Sequence, residues 1–168
     1  VPLKGEKVIV LGAGGAARAA VYGLWQKGAE VVVVNRTMER AQEMLSQLTF
    51  SGGVRGIPAI TLDEASERGA SLIVNATPVG MHPKIDKSPW IDGIPFPKNA
   101  TVYDMVYTPA QTKLMTQAEN AGGRAIGGLG MLARQGAVAF EIWTGTEPPI
   151  EVMLDTLREE LAKRQAKG

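Results

Sequence analysis

The stretch at residues 8–36 constrains the fold of this chain more than any other part of the sequence. An apolar run at residues 8–11 leads into a glycine cluster, a segment of small residues and a second apolar run at residues 31–34. This order and spacing predict a β-strand, a tight turn, an α-helix and a second, parallel β-strand. Gly28 lies where the residue that follows a helix is commonly glycine. The stretch therefore predicts an α/β fold with a parallel sheet.

The glycine cluster has the spacing of a phosphate-binding turn. Gly12 would turn the backbone at the end of the first strand, Gly14 would let a pyrophosphate approach the main chain, and Ala17 replaces the third glycine of the pattern. Gly15 adds a second position without a side chain. The N–H groups that begin the next helix lack intrahelical partners and carry the positive end of the helix dipole. The pattern favours dinucleotide binding; the alternative is a turn that is glycine-rich for steric reasons alone.

The residues after the second strand indicate which dinucleotide is bound. An NAD site commonly has Asp or Glu here to accept hydrogen bonds from the adenosine ribose, whereas this chain has Asn35-Arg36-Thr37. Arg36 and Arg40, one helical turn apart, would flank a 2′-phosphate. Charge-assisted hydrogen bonds are worth roughly 1.5–3 kcal/mol each, so we expect NADP to be favoured over NAD by about one to three orders of magnitude. The alternative is a solvated turn in which Thr37 caps the next helix, and Thr37 can serve both purposes.

Composition narrows the class of protein. A chain of 168 residues with 45% apolar and 21% charged residues suggests one globular domain. The net charge of +1 gives no electrostatic case for nucleic acid, and no apolar run approaches the roughly 18–20 residues that span a bilayer. The absence of cysteine excludes disulfides and thiolate metal sites and fits a reducing compartment, so we expect a cytoplasmic protein with no metal. The opening VPLKGEK resembles a linker, so we expect the chain to start at a domain cut.

The remaining sequence alternates helical and strand patterns. Pro58 places the strand that contains it at a sheet edge. The pattern predicts a doubly wound parallel sheet of about six strands in the order 3-2-1-4-5-6. The predicted elements are a helix at 38–48, a turn at 50–55, an edge strand at 57–62, a helix at 63–68, strands at 71–75 and 101–106, an irregular loop at 81–99, a helix at 111–121, a strand at 124–126 and helices at 131–143 and 150–165.

Polar residues at the carboxyl ends of the strands are the candidates for ligand binding. In an open α/β sheet this edge holds the ligand, and the strand at 71–75 delivers residues 75–81 to it. His82 lies in a proline-flanked loop, and we interpret it as a solvated residue rather than a general base. Lys84 and Lys87 lie in the same loop without an apolar pattern that would desolvate them, so we do not assign them a catalytic role.

Five motifs, taken together, resemble one family. In chain order they are GAGGAARA, NRTMERA, NATPVGM, YDMVYTPAQTKL and GGLGMLARQGAVAFEIWTG. The sequence resembles the C-terminal half of shikimate dehydrogenase over essentially its whole length. That family reduces 3-dehydroshikimate to shikimate with NADPH in aromatic amino acid biosynthesis. The resemblance implies a Rossmann-like NADP-binding domain over residues 1–168 that ends in C-terminal helices.

The resemblance also implies roles for individual residues. Met105 and Gly128 would lie beside the nicotinamide, and Tyr107 and Gln135 would reach the hydroxyl or carboxylate groups of the substrate. Without the family, a core Met, a core Tyr and a solvent-facing Gln are the alternatives. Pro78 departs from the Ser common in the family and removes a hydroxyl and a backbone donor. The implied cofactor-binding set is Gly12, Ala13, Gly14, Gly15 and Ala16 at the pyrophosphate, Asn35, Arg36, Thr37 and Arg40 at the 2′-phosphate, and Thr77, Met105 and Gly128.

The family's acid-base Lys and Asp belong to an N-terminal substrate domain that would precede Val1. We therefore expect no catalytic residue in this chain, which would bind cofactor, and we expect shikimate or 3-dehydroshikimate to bind via the missing domain. An apolar surface near residues 132–143 and the last helix would be left exposed and could self-associate. The alternatives are a standalone NADP-responsive module and an NAD-using quinate dehydrogenase. Within the family, the run GMHPKIDKSPW most resembles the enzymes in which this activity is fused to dehydroquinate dehydratase.

Overall fold

A computed structural model describes residues 2–165 and shows a six-stranded parallel sheet in the order β3-β2-β1-β4-β5-β6. The predicted doubly wound topology is therefore confirmed. The elements are β1 (Lys7–Leu11), α1 (Gly15–Gln26), β2 (Glu30–Val34), α2 (Met38–Gly52), β3 (Ala59–Ile60), α3 (Leu62–Glu67), β4 (Leu72–Asn75), β5 (Thr101–Asp104), α4 (Lys113–Asn120), β6 (Arg124–Gly127), α5 (Leu129–Thr144) and α6 (Ile150–Gln165).

The core lies on both faces of the central strands. Alternate residues of β1 point to opposite faces, so Val8 and Val10 pack with α1 and α2, while Ile9 and Leu11 pack with α3 and α4. Because both faces are covered, β1 and β2 are almost continuous apolar runs. Gly28 follows α1 with φ +77°, which confirms its predicted place at the end of that helix. The resulting sheet holds its carboxyl edge in a fixed geometry.

Two predicted boundaries around β3 are wrong. The turn predicted at 50–55 begins too early, because α2 continues through Gly52 and ends at Gly53, whose φ of +69° only glycine adopts without strain. The strand predicted at 57–62 is only Ala59–Ile60. Thr61 ends it by capping α3: its hydroxyl accepts from the Glu64 N–H at 3.2 Å, and the Glu64 carboxylate accepts from the Thr61 N–H at 2.8 Å. Capping chemistry thus overrides the apolar pattern.

The loop at 81–99 contains no helix or strand, as predicted, yet it is anchored in the core. Trp90 is 1% exposed and packs against Phe96 with ring centroids 4.9 Å apart. Its indole N–H donates to the Ile94 carbonyl at 3.2 Å. The loop therefore forms part of the layer that covers β4 and β5 together with α4.

The last two helices expose an apolar surface, as predicted for this region. The largest side chains on it are Val138, Ile142, Trp143 and Val152, of which Trp143 is 82% exposed. Self-association through this surface stays a prediction. Among residues 2–165, no helix combines the length and the hydropathy that crossing a membrane would require.

Candidate functional site at the carboxyl edge of the sheet

The strand register brings most of the predicted binding residues to one edge. The residues that end five strands lie in a single row across the sheet: Val34, Leu11, Asn75, Asp104 and Gly127. The residues that follow them in the chain therefore emerge side by side. They are Asn35, Gly12, Ala76, Met105 and Gly128. Four of these five, all but Ala76, belong to the cofactor-binding set that the sequence predicts.

Gly12 occupies a position that only glycine fits. Its φ is +115°, and its N–H donates to the Val34 carbonyl at 2.8 Å. A Cβ at this position would lie 3.0 Å from Thr77 Cγ2 and 3.1 Å from the Ala76 carbonyl oxygen. The turn after β1 is thus pressed against the turn after β4, which places Thr77 beside the glycine cluster.

The beginning of α1 is open to an anion. Gly14 is the N-cap residue, and as a glycine it has no side-chain oxygen with which to cap the helix. A Cβ at Gly14 or Gly15 would meet no atom within 4 Å, and both residues, like Ala16, are exposed. The N–H groups of the first helical turn therefore have neither intrahelical partners nor a capping side chain. Bare backbone, open space and the helix dipole fit a pyrophosphate.

Two arginines follow β2, Arg36 in the turn after the strand and Arg40 in the first turn of α2. The Asn35 side-chain amide donates to the Thr37 carbonyl at 2.7 Å, which folds the turn back on itself. Thr37 is the N-cap residue of α2, as the capping alternative predicts, but its side chain makes no capping hydrogen bond. Arg36 and Arg40 are exposed. In the described part of the chain neither arginine takes part in an ion pair.

Met105 and Gly128 meet where β5 and β6 end. A Cβ at Gly128 would lie only 2.3 Å from the Met105 carbonyl oxygen, so the two backbones touch. Gly128 is buried, and its N–H donates to the Val106 carbonyl at 3.1 Å. Met105 is half-buried, and its own N–H donates to the Asn75 carbonyl at 3.0 Å. This part of the edge is a closely packed platform on which a flat ring could rest.

The residues predicted to reach the substrate are accessible. Tyr107 is 37% exposed, three residues after β5, and Gln135 is exposed on α5. His82 is exposed, as the interpretation of a solvated residue requires. Lys87 is also exposed and forms an ion pair with its neighbour Asp86 at 3.0 Å. No feature of this pair suggests a desolvated base.

A buried polar network behind this edge was missed by sequence reasoning. Asp104 is fully buried: its Oδ1 accepts from Asn75 Nδ2 at 2.9 Å and from the Val106 N–H at 3.0 Å, and its Oδ2 accepts from Thr112 Oγ1 at 2.7 Å. Burial raises the pKa of the Asp104 carboxyl, and these three donors oppose that rise. The sequence signal was available, since Asp104 is the single acid in the strand motif TVYDMV.

Two surface cavities lie away from this edge. A cavity of about 480 Å³ is bounded by the loop that contains Trp90 and by the end of α4. Another, of about 410 Å³, lies near Trp25, Arg55 and Arg68 at the opposite edge of the sheet. Neither cavity lies at the carboxyl edge of the sheet, where the candidate site is formed by the turns that follow the strands.

Comparison with known proteins identifies the family of this chain. The sequence profile of the shikimate / quinate 5-dehydrogenases matches residues 1–77, and that of the shikimate 5′-dehydrogenase C-terminal domain matches residues 128–158. The NADP(+) shikimate dehydrogenase of Methanopyrus kandleri is 45% identical over 163 residues, which cover 94% of this chain and 56% of that protein. The chain belongs to the shikimate dehydrogenase family.

Solved structures of this family share the fold. Shikimate 5-dehydrogenase from Thermus thermophilus, in complex with NADP(H) and shikimate, is 40% identical with a TM-score of 0.79 over 95% of this chain and 56% of that one. Quinate dehydrogenase from Corynebacterium glutamicum, in complex with NAD, is 28% identical with a TM-score of 0.80 over 93% of this chain and 56% of that one. The chain thus spans about half the length of the relatives that it matches.

Proposed function

We propose that residues 1–168 are the NADP-binding domain of a shikimate dehydrogenase. The observation that carries the proposal is the shared edge: an uncapped helix start for a pyrophosphate and the exposed Arg36 and Arg40 for a 2′-phosphate follow adjacent strands. Relatives at 40–45% identity are NADP-dependent or hold NADP(H). We propose the cofactor-binding set that the sequence predicts, and the geometry of the start of α1, of the turn after β2 and of the contact between Met105 and Gly128 supports it.

The other end of the cofactor would rest on the platform of Met105 and Gly128. When bound there, NADPH supplies the hydride that reduces the ketone of 3-dehydroshikimate. The chain's own contribution is orientation, since a hydride donor and acceptor react only when both are held in the productive geometry. We assign Tyr107 and Gln135 to contacts with the substrate's hydroxyl or carboxylate groups, because both are exposed and follow Met105 and Gly128 in the chain.

The cofactor preference tests this proposal. Isothermal titration calorimetry of the chain with NADPH and NADH should show NADPH bound more tightly by about one to three orders of magnitude, because only NADPH engages both arginines. Equal affinities would contradict the assignment of Arg36 and Arg40. A tighter complex with NADH would support an NAD-using quinate dehydrogenase, and the absence of binding to either would remove the proposed function altogether.

The chain by itself should bind cofactor without turning over substrate. Ketone reduction needs a proton donor placed beside the developing alkoxide, and we assign that group to a substrate domain present in the longer relatives. The exposed Lys84, Lys87 and His82 do not offer a desolvated, positioned group. A mixture of this chain, shikimate and NADP⁺ should therefore give no increase in the absorbance of reduced nicotinamide. Turnover that depends on the protein concentration would contradict the assignment of the proton donor to the substrate domain.

A further inference from the structure

Asp104 ends β5 and joins three elements. Besides Asn75 and the Val106 N–H, its carboxylate accepts from the hydroxyl of Thr112, and Thr112 is the N-cap residue of α4, whose hydroxyl also accepts from the Met115 N–H at 3.3 Å. The ends of β4 and β5 and the beginning of α4 are thus linked through one buried side chain. A buried carboxylate is costly to desolvate, so a network of this kind is retained only when its donors are well placed.

The network continues from Asn75 into the turn after β4. Asn75 Oδ1 accepts from the Thr77 N–H at 3.0 Å and from Thr77 Oγ1 at 2.7 Å. Thr77 Oγ1 in turn accepts from the Val79 N–H at 3.2 Å. These bonds fix the turn that contacts the glycine cluster at Gly12. Pro78 supplies no N–H in this turn, and the three bonds from Asn75 and Thr77 hold the turn without one.

The same carboxylate fixes the turn after β5. Its bond from the Val106 N–H sets the direction in which the chain leaves the strand, and Met105 lies between these two residues. The Met105 carbonyl then touches Gly128, and the Gly128 N–H returns to the Val106 carbonyl. Asp104 is therefore bonded to the residue that follows Met105 and that also accepts from Gly128, although Asp104 is itself buried and cannot touch a ligand.

We propose that Asp104 is a positioning residue for the nicotinamide end of the cofactor, acting through Asn75, Val106 and Thr112 on the turns that contain Thr77 and Met105. The inference rests on the proposed function, since it assigns the nicotinamide to this platform. We place the adenosine end on the glycine cluster, which follows β1, and on Arg36 and Arg40, which follow β2, and none of these residues makes a hydrogen bond to Asp104. The Thr77 turn lies against Gly12, but the Gly12 N–H donates to the Val34 carbonyl at 2.8 Å, which anchors the glycine cluster independently of Asp104. Loss of the network should therefore affect mainly the nicotinamide end of the cofactor.

Two ligands allow binding at the nicotinamide end to be measured separately from binding at the adenosine end. NADPH occupies both, whereas adenosine 2′,5′-bisphosphate carries only the adenosine and its phosphates. In calorimetric titrations, Asp104→Ala should weaken NADPH binding by about tenfold and leave adenosine 2′,5′-bisphosphate binding unchanged, because a platform with unpaired donors no longer holds one conformation. Asp104→Asn keeps an oxygen for Asn75 and Val106 and can donate to Thr112 Oγ1, so it should retain nearly all of the NADPH affinity.

Two substitutions of Thr112 test the same network from a position remote from the ligand. Thr112→Val removes the hydroxyl that donates to Asp104, and we expect a loss of about threefold in NADPH affinity, with adenosine 2′,5′-bisphosphate unaffected. Thr112→Ser keeps the hydroxyl and should behave as the unsubstituted chain. This pair decides the matter if Asp104→Ala does not fold, which circular dichroism would show.

The outcomes distinguish the two proposals. If the unsubstituted chain binds neither ligand, the proposed function fails. If it binds both, but the Asp104 or Thr112 variants weaken both ligands equally or neither, the function stands and the positioning role is wrong. A loss in Asp104→Asn as large as that in Asp104→Ala would also overturn the role, because it would mean that the charge matters and the hydrogen bonds do not.

Discussion

Replacement of Arg36 by Asp is expected to weaken NADPH binding by about a hundredfold while leaving NADH binding unchanged or slightly stronger. The 2′-phosphate carries about −1.5 to −2 charges, so the variant loses charge-assisted hydrogen bonds and gains a repulsion. NADH carries no phosphate there, and a carboxylate at the end of β2 can accept from its ribose hydroxyls. Calorimetric titration with NADPH and with NADH measures this change in cofactor preference. The NADPH loss should shrink with added salt, because Arg36 is exposed and its field is screened.

Arg55→Asp is the matched control for this prediction. Arg55 is also exposed, and the variant changes the net charge by the same amount, but it lies at the opposite edge of the sheet beside the smaller cavity. It should bind NADPH as the unsubstituted chain does. If both variants weakened NADPH binding to a similar degree, the effect would be one of overall charge, and a specific contact between Arg36 and the 2′-phosphate would be wrong.

Strand order and the carboxyl edge could be predicted because they follow from patterns that act locally. The apolar runs and the glycines between them are enough to define β1, α1 and β2, and parallel strands joined by helices leave few topologies open. The errors around β3 have a different origin. Thr61 and Glu64 form a capping box whose two bonds compete with strand pairing, and a periodicity in apolar residues contains no information about that competition.

The site could be predicted where backbone geometry requires a residue type and could not where partners come from distant segments. Gly12 could be predicted from the sequence, because its positive φ and its close approach to the turn after β4 both exclude a side chain. Asp104 depends on Asn75, 29 residues earlier, and on Thr112 eight residues later, so its role appears only when β4, β5 and α4 are assembled. An acidic residue within an apolar strand indicates such a network in the sequence, although it does not indicate which residues bond to it.

Gly128→Ala should destabilise the fold by roughly 3 kcal/mol, which for a domain of this size lowers Tm by about 6–12 °C. The new Cβ would lie 2.3 Å from the Met105 carbonyl oxygen and 2.6 Å from its carbon, and these are backbone atoms held by the pairing of β5 with β6. The bond from the Gly128 N–H to the Val106 carbonyl also joins the two turns and opposes the shift that the new Cβ would require. Thermal unfolding followed by circular dichroism measures the change.

Gly136→Ala provides the control within the same helix. Gly136 lies in the interior of α5, is exposed, and a Cβ there would meet no atom within 4 Å. Alanine should therefore raise the stability by about 0.5–1 kcal/mol, because glycine loses more conformational freedom on folding. The two variants add the same methyl group with opposite expected signs. If Gly128→Ala unfolded at the same temperature as Gly136→Ala, the close approach of Gly128 to Met105 would be wrong, and with it the rigid platform on which we place the nicotinamide.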